Sequence, residues 1–200
     1  MNLSLEEKQR ITHLIEEGIM RSTDRLGKMS KTEWAVMSSS TNEVPAVRML
    51  SWFQRSKDEH VAVHFRSGEG VPLDFLIIFS EKSAQSVTGA VTKPYAAKLD
   101  GFANLMELTI GEVSNIVAQS VIGAMADEFD KTIILSIPEV HRGPKASLLG
   151  VVLEAYDGRE DVLLMSHVEM FSEDLSADCA MVIIVNADVL HELVRNQKPN

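Results

Sequence analysis

Glu112 and Asn115 stand one helical turn apart in GEVSNIVAQSVIGAMADEFDKTIILSIP, the stretch from Gly111 to Pro138. A carboxylate can carry a charge or a proton, and an amide can donate and accept at once. Neither residue has a partner close in sequence, and both interrupt an apolar segment of helical period. With Glu112 at 0° and about 100° per residue, Met106, Ile110, Val113, Val117, Val121 and Ala124 fall between about 100° and 180° as a core stripe. Leu108, Asn115 and Gln119 fall near 320°, 300° and 340°, so they share one stripe with Glu112, roughly opposite. A solvated helix face accounts for much of this. Asn is a modest helix former, however, and Leu108 on the same stripe suits the edge of a contact surface.

Other candidate groups carry less. His60 and His64 are four apart in HVAVH, which on a helix would make a metal pair. The segment reads as a strand, where the two lie about 13 Å apart on one face, so no metal site is expected. Ser67-Gly68-Glu69-Gly70 lacks the lysine and the strand-to-helix setting of a phosphate loop and reads as a turn. His141, Arg142 and Lys145 follow Pro138 and are either near the Glu112 site or solvated loop charges. No Ser/His/Asp or Cys/His set has recognisable spacing.

The elements that must position Glu112 and Asn115 follow from periodicity and punctuation. A helix runs from the N-cap Ser4 to about Met29, with Glu6 and Glu7 in its first turn. Strands are expected at Trp34–Ser38, Val47–Phe53, His60–Phe65 and, as an apolar central strand, Pro72–Phe79. Thr41 to Pro45 reads as a turn. Ser80 caps a helix to about Val91. The longest helix spans about Asp100 to Glu128, followed by a strand from Lys131 to Ile137 that Pro138 ends. His141 to Pro144 is a loop. Strands follow at Leu148–Tyr156, Val162–Phe171 and Ala180–Val185, with turns at Asp157-Gly158 and Ser172 to Asp178. A last helix starts at Asp188, and the tail Asn196 to Asn200 frays. Strand runs between long helices predict an α+β fold, a largely antiparallel sheet covered by helices.

The chain has 200 residues and a net charge of −10. One domain of that length buries on the order of 70% of its unfolded surface. The acidic balance argues against nucleic acid, which needs clustered Lys and Arg, and against anionic membranes. MNLSLEEKQR has no apolar core of a signal peptide, and no uninterrupted apolar run has transmembrane length. Cys179 is the single cysteine, so no internal disulfide forms. A cytoplasmic protein is expected.

The chain also repeats itself. At an offset of 96 residues, EEGIMRSTDRLGKM (Glu16 to Met29) lies on EVSNIVAQSVIGAM (Glu112 to Met125), matching Glu16 with Glu112 and Gly27 with Gly123. One domain over 1–200 with two pseudo-symmetric halves, about 1–95 and about 96–200, is expected. With its halves already paired, the chain has no need of a second copy, and a monomer is favoured.

With Glu112-x-x-Asn115 and then twenty-two residues to Pro138, the second half resembles the CheC/CheX/FliY phosphatases of bacterial chemotaxis, most of all the CheC type. That family's motif is Asp or Ser, three residues, Glu, two residues, Asn, twenty-two residues, Pro. This chain fits it from Glu112 to Pro138 without a gap, and length and two-half organisation extend the resemblance over most of the chain. Leu108 occupies the Asp/Ser position. In the first half Glu16 matches the Glu, but Ile19 stands at the Asn position and Asn42 at the Pro position, so that half is a degenerate site.

The resemblance implies an α+β CheC-like fold and an enzyme that hydrolyses the aspartyl-phosphate of a CheY-like response regulator. Asn115 would position the attacking water and Glu112 would pair with a lysine of the regulator. Pro138, Leu108 and Gln119 would be associated with the motif. Mg²⁺ would be held by the regulator, so no cofactor of the chain's own is expected. A CheD-like protein is a further partner that the resemblance leaves open. The alternative is a CheC-like module that binds a response regulator or flagellar switch component without hydrolysis.

Overall fold

Ser4 starts the first helix through a reciprocal cap: its Oγ accepts from Glu7 N at 3.2 Å, and its own N–H donates to Glu7 Oε2 at 2.7 Å. Two donors that a helix start would otherwise orphan are thereby satisfied. The computed structural model describes residues 3–99, 101–156, 161–172 and 175–195. Their elements are α1 (Leu5–Ser30), β1 (Ala35–Val44), α2 (Ala46–Phe53), β2 (Glu59–Gly70), β3 (Leu73–Ser80) and α3 (Glu81–Thr92). A 3₁₀ turn (Lys93–Tyr95) and a short α4 (Ala96–Leu99) lead to α5 (Leu105–Phe129). Then come β4 (Ile133–Leu135), β5 (Glu139–Pro144), α6 (Lys145–Leu153), β6 (Asp161–Ser172), β7 (Leu175–Asn186) and α7 (Ala187–Arg195).

The strands form one antiparallel sheet in the order β1-β6-β7-β3-β2-β4, with β5 also paired to β2. A helix, a strand, a short helix, a hairpin and a helix occur twice along the chain. The sheet order places β3 beside β7 at its centre, β1 of the first set beside β6 of the second, and β4 and β5 of the second beside β2 of the first. Each set therefore lends its first strand to the other. The α+β fold expected from the sequence is the one observed.

The two faces of the sheet carry separate cores. Val61, Val63 and Phe65 of β2, Phe75, Ile77 and Phe79 of β3, and Met181, Ile183 and Val185 of β7 face the larger core under α1, α3, α5 and α7. The intervening Ala62, Leu76, Ile78, Val182 and Ile184 face a smaller one under α2 and α6. β3 is covered on both faces, which is why its sequence is apolar without alternation. At one end of the smaller core, buried Asp74 accepts from His64 Nε2, Tyr156 Oη and Arg66 Nε. Burial alone would raise the Asp74 pKa; these three donors outweigh it and hold the carboxyl below its ordinary value.

α1 and α5 lie side by side, antiparallel, on the larger core. A Cβ at Gly18 would sit well inside van der Waals contact distance of Val121 Cα and 2.8 Å from its nitrogen, so only glycine permits this approach. α5 is long and apolar enough to cross a membrane by composition, but 67% of that stretch is buried in the fold. It is a core helix.

Several sequence expectations change. Val47–Phe53 and Leu148–Leu153 are helical, not strands, and Glu154 to Tyr156 turns: α2 and α6 are capped by Pro45 and Pro144, whose φ of −59° and −61° suits a helix start. Met49 and Phe53, and Leu148 and Val152, then meet the sheet at i, i+4. A short apolar run does not by itself distinguish the two periods. Thr41 to Val44 belongs to β1, which pairs with β6 as far as Val44. Ser67 to Gly70 continues β2 rather than turning; Gly70, at φ +80°, lies against Thr132, where a Cβ would fall on the carbonyl oxygen. His141 to Pro144 is strand β5, recruited by pairing with β2. β7 begins at Leu175, ahead of the expected Ala180. α5 starts five residues late because Gly101 and Asn104 take left-handed backbone conformations; at 25 residues it is one shorter than α1. Asp100, the Asp157-Gly158 turn and the tail Asn196 to Asn200 lie outside the described residues.

Candidate functional site

α5 presents Leu108, Glu112 and Gln119 to solvent and Asn115 half-buried among them. Thr109, Ile110, Val113, Ser114, Val117 and Val121 are buried on its other sides. The helix is apolar over most of its circumference because α1, α3 and the sheet edge enclose it, which leaves one narrow stripe open. Neither Glu112 nor Asn115 has a hydrogen-bond or ion-pair partner among the described residues. Asn115 is half-buried, while the exposed carboxylate of Glu112 is free to meet a cation. Leu108 is 61% exposed, a large apolar side chain beside two free polar ones.

The sheet edge under this helix explains Pro138. β2 pairs Ser67 with Leu135 and His64 with Glu139. Arg66 and Phe65 therefore lie opposite three residues, Ser136, Ile137 and Pro138. The extra residue is a bulge, placed where proline removes a ladder donor. Ser136 closes it: its N–H donates to the Arg66 carbonyl at 2.8 Å and its Oγ accepts from Arg66 N at 3.1 Å. Ile137 is thrown outward, 82% exposed. Beyond the bulge, β5 braces the start of α5. Val140 Cγ2 lies 3.5 Å from where a Gly111 Cβ would be, and Arg142 Nη2 reaches Glu107 Oε1 at 2.7 Å, one residue before Leu108.

The loop charges that follow Pro138 separate by strand alternation. Arg142 joins α5 through Glu107. His141 lies on the opposite face of the sheet with Glu139, and Lys145 sits over the Phe53 ring at 5.7 Å. Sequence reading could not assign the Arg142–Glu107 brace, because it depended on this segment being a strand.

The first-half counterparts differ. Glu16 is half-buried on α1, but Ile19 is 1% exposed and packed in the larger core. Asn42 lies inside β1, whose pairing with β6 continues to Val44 with an irregularity only between Ser38 and Ser40. α1 therefore has no open amide position and no proline-broken strand beside it.

No protein-family profile matches the chain. A Halobacterium salinarum protein, CheC1, described as a candidate CheY-P phosphatase, is 18% identical over 176 residues, 88% of each chain. Among solved structures, Thermotoga maritima FliY superposes with a TM-score of 0.73 at 16% identity, covering 97% of this chain and 96% of that one. The middle domain of Helicobacter pylori FliM, also solved in a FliG–FliM complex, gives 0.70 at 8% identity over 98% and 100%. CheX from Desulfovibrio desulfuricans gives 0.50 at 12% over 87% and 99%. In fold and in a similarity that runs along nearly its whole length, the chain is CheC/CheX/FliY-like.

Proposed function

We propose that the chain is a phosphatase of a phosphorylated CheY-like response regulator, acting through the α5 stripe. The observation that carries this reading is the pairing of an unpartnered, half-buried Asn115 with an unpartnered, exposed Glu112 on a rigid core helix. Phosphoryl transfer asks little covalent chemistry of the protein and much positioning. Asn115 accepts a hydrogen bond from the attacking water and donates to a phosphoryl oxygen. The water oxygen bonds to phosphorus, the bond to the aspartyl oxygen breaks, and the released carboxylate and inorganic phosphate carry away the electrons and proton. Glu112 pairs with a lysine of the regulator and locks the helix against the acyl-phosphate. Leu108 and Gln119 flank the pair as contact residues. Mg²⁺ belongs to the regulator in this mechanism, and a cytoplasmic location follows from such a partner.

The test is single-turnover loss of phosphoryl label from candidate regulators with and without the protein. Stimulated loss that disappears in Asn115→Ala, with regulator binding retained, supports hydrolysis through this amide. Full stimulation by Asn115→Ala overturns the assignment. The second reading, a binding module without hydrolysis, is favoured by the large apolar Leu108 on the stripe and by the likeness to FliM, which is found in a complex with FliG. It predicts saturable binding with no stimulated loss. A CheD-like protein enters as an added component whose effect on the same assay decides whether it is an activator.

A further inference from the structure

On the opposite face of the sheet, away from the α5 stripe, the β2–β5 ladder brings together His64, Glu139 and His141. His64 pairs directly with Glu139, and Ala62 with His141. In an antiparallel pair, opposed residues share a face, and so do residues two apart on one strand. All three side chains therefore project to the α2/α6 side. One ligand atom from each lies within 4.8 Å of the other two. His64 is buried, whereas Glu139 and His141 are exposed and open a path for entry. His141 Nε2 and Glu139 Oε2 are 3.7 Å apart.

Behind His64 stands the group that a metal-binding histidine needs. Asp74 accepts from Nε2 of its ring and is itself held by Tyr156 and Arg66. A carboxylate on one ring nitrogen fixes the tautomer, orients the ring and makes the other nitrogen more basic. Nε2 being so occupied, Nδ1 is the free lone pair. Two imidazoles and one carboxylate suit borderline divalent ions such as Zn²⁺, not Mg²⁺ or Ca²⁺, which prefer all-oxygen sites. Three protein ligands leave a fourth position for water or another ligand. We propose that His64, Glu139 and His141 bind one zinc-class divalent ion, with Asp74 positioning His64.

The test uses the full chain and the metals alone, in isothermal titration with Zn²⁺ and in absorption spectra with Co²⁺. The expected result is one ion per chain, ligand-field bands of a four- or five-coordinate Co²⁺ site, and no saturable binding of Mg²⁺ or Ca²⁺. His141→Ala, at an exposed position that leaves folding intact, should weaken binding at least tenfold. Asp74→Asn should weaken it on the order of 10–100-fold, as loss of a ligand's supporting carboxylate typically does. Asn115→Ala should bind as the parent does, which separates this site from the phosphatase reading. Absence of saturable Zn²⁺ binding overturns the proposal. So does Zn²⁺ binding that is unchanged in both His141→Ala and Glu139→Gln, because the ion would then sit elsewhere.

Discussion

The two long helices match at an offset of 96 residues and sit in different surroundings. α1 carries Glu16 and Ile19 where α5 carries Glu112 and Asn115. Ile19 is sealed in the core, and Asn115 is half open. β1 is one strand from Ala35 to Val44 with an irregularity between Ser38 and Ser40, while its counterpart is split at Pro138 into β4 and β5. α1 is fastened at its start by the Ser4–Glu7 capping box; Asn104 makes no side-chain cap for α5. One helix buries the matched position in the core, and the other keeps an open polar stripe and a broken strand beside it. The lesson is that helices at matching places in a fold can turn the same position to packing in one and to solvent in the other.

That contrast can be broken most sharply at the matched positions. Asn115→Ala should lower stimulated dephosphorylation by about 10²–10³-fold, the usual cost of one positioning group, with thermal midpoint nearly unchanged. Ile19→Ala should do the reverse, destabilising by about 2–5 kcal/mol through a core cavity and leaving turnover per folded molecule intact; urea titration and the phosphatase assay read the two effects. Equal behaviour of the pair would erase the distinction between the helices.

Gly18→Ala comes next. Its methyl group would press on the Val121 backbone, and overpacking of this kind costs typically about 1–3 kcal/mol. Gly123→Ala, at the α5 position matching Gly27, has nothing within 4 Å of its new Cβ and should be neutral or slightly stabilising by urea titration.

Glu112→Ala should weaken binding of a phosphorylated regulator on the order of tenfold, about 1.4 kcal/mol, and do so less at high salt because the contact is exposed. Glu16→Ala, measured by the same titration, should have no effect.

Ser4→Ala should cost about 1 kcal/mol through loss of a cap. Glu7 is held below its ordinary pKa first by the Ser4 backbone N–H and then by the Ser4 hydroxyl. The folded carboxyl's pKa thus lies below the unfolded one, so its contribution is complete above about pH 4.5, the ordinary value, and is lost as pH falls through the folded value. The pH dependence of the parent's unfolding should show that loss, and any part carried by the hydroxyl should be flattened in the variant.

Several features could be read directly because they are local. The caps at Ser4 and Ser80, the apolar β3 and the stripe of Leu108, Glu112, Asn115 and Gln119 each depend on residues within a turn or a strand of one another. α2 and α6 read as strands because runs of seven to nine mostly apolar residues suit a strand as well as two helical turns, and only the sheet beneath them selected i, i+4 contacts. β5 was missed because HRGP carries loop residues; β2 turned it into a strand by supplying a free edge. On its own strand His64 has only His60 as a companion histidine, whereas its neighbours are Glu139 and His141 from across the ladder.

The sequence by itself determined which face of α5 is polar, where α1 and α3 begin and how far Asn115 lies from Pro138, since all of these are set by backbone period and local hydrogen bonding. Only the tertiary structure decided that Ile19 is buried while Asn115 is open, that Pro138 sits at a bulge, and that two histidines and a glutamate converge. Those outcomes depend on which strand each half lends to the other, and contacts between distant segments are specified by the packing of the whole sheet, not by any stretch of the chain alone.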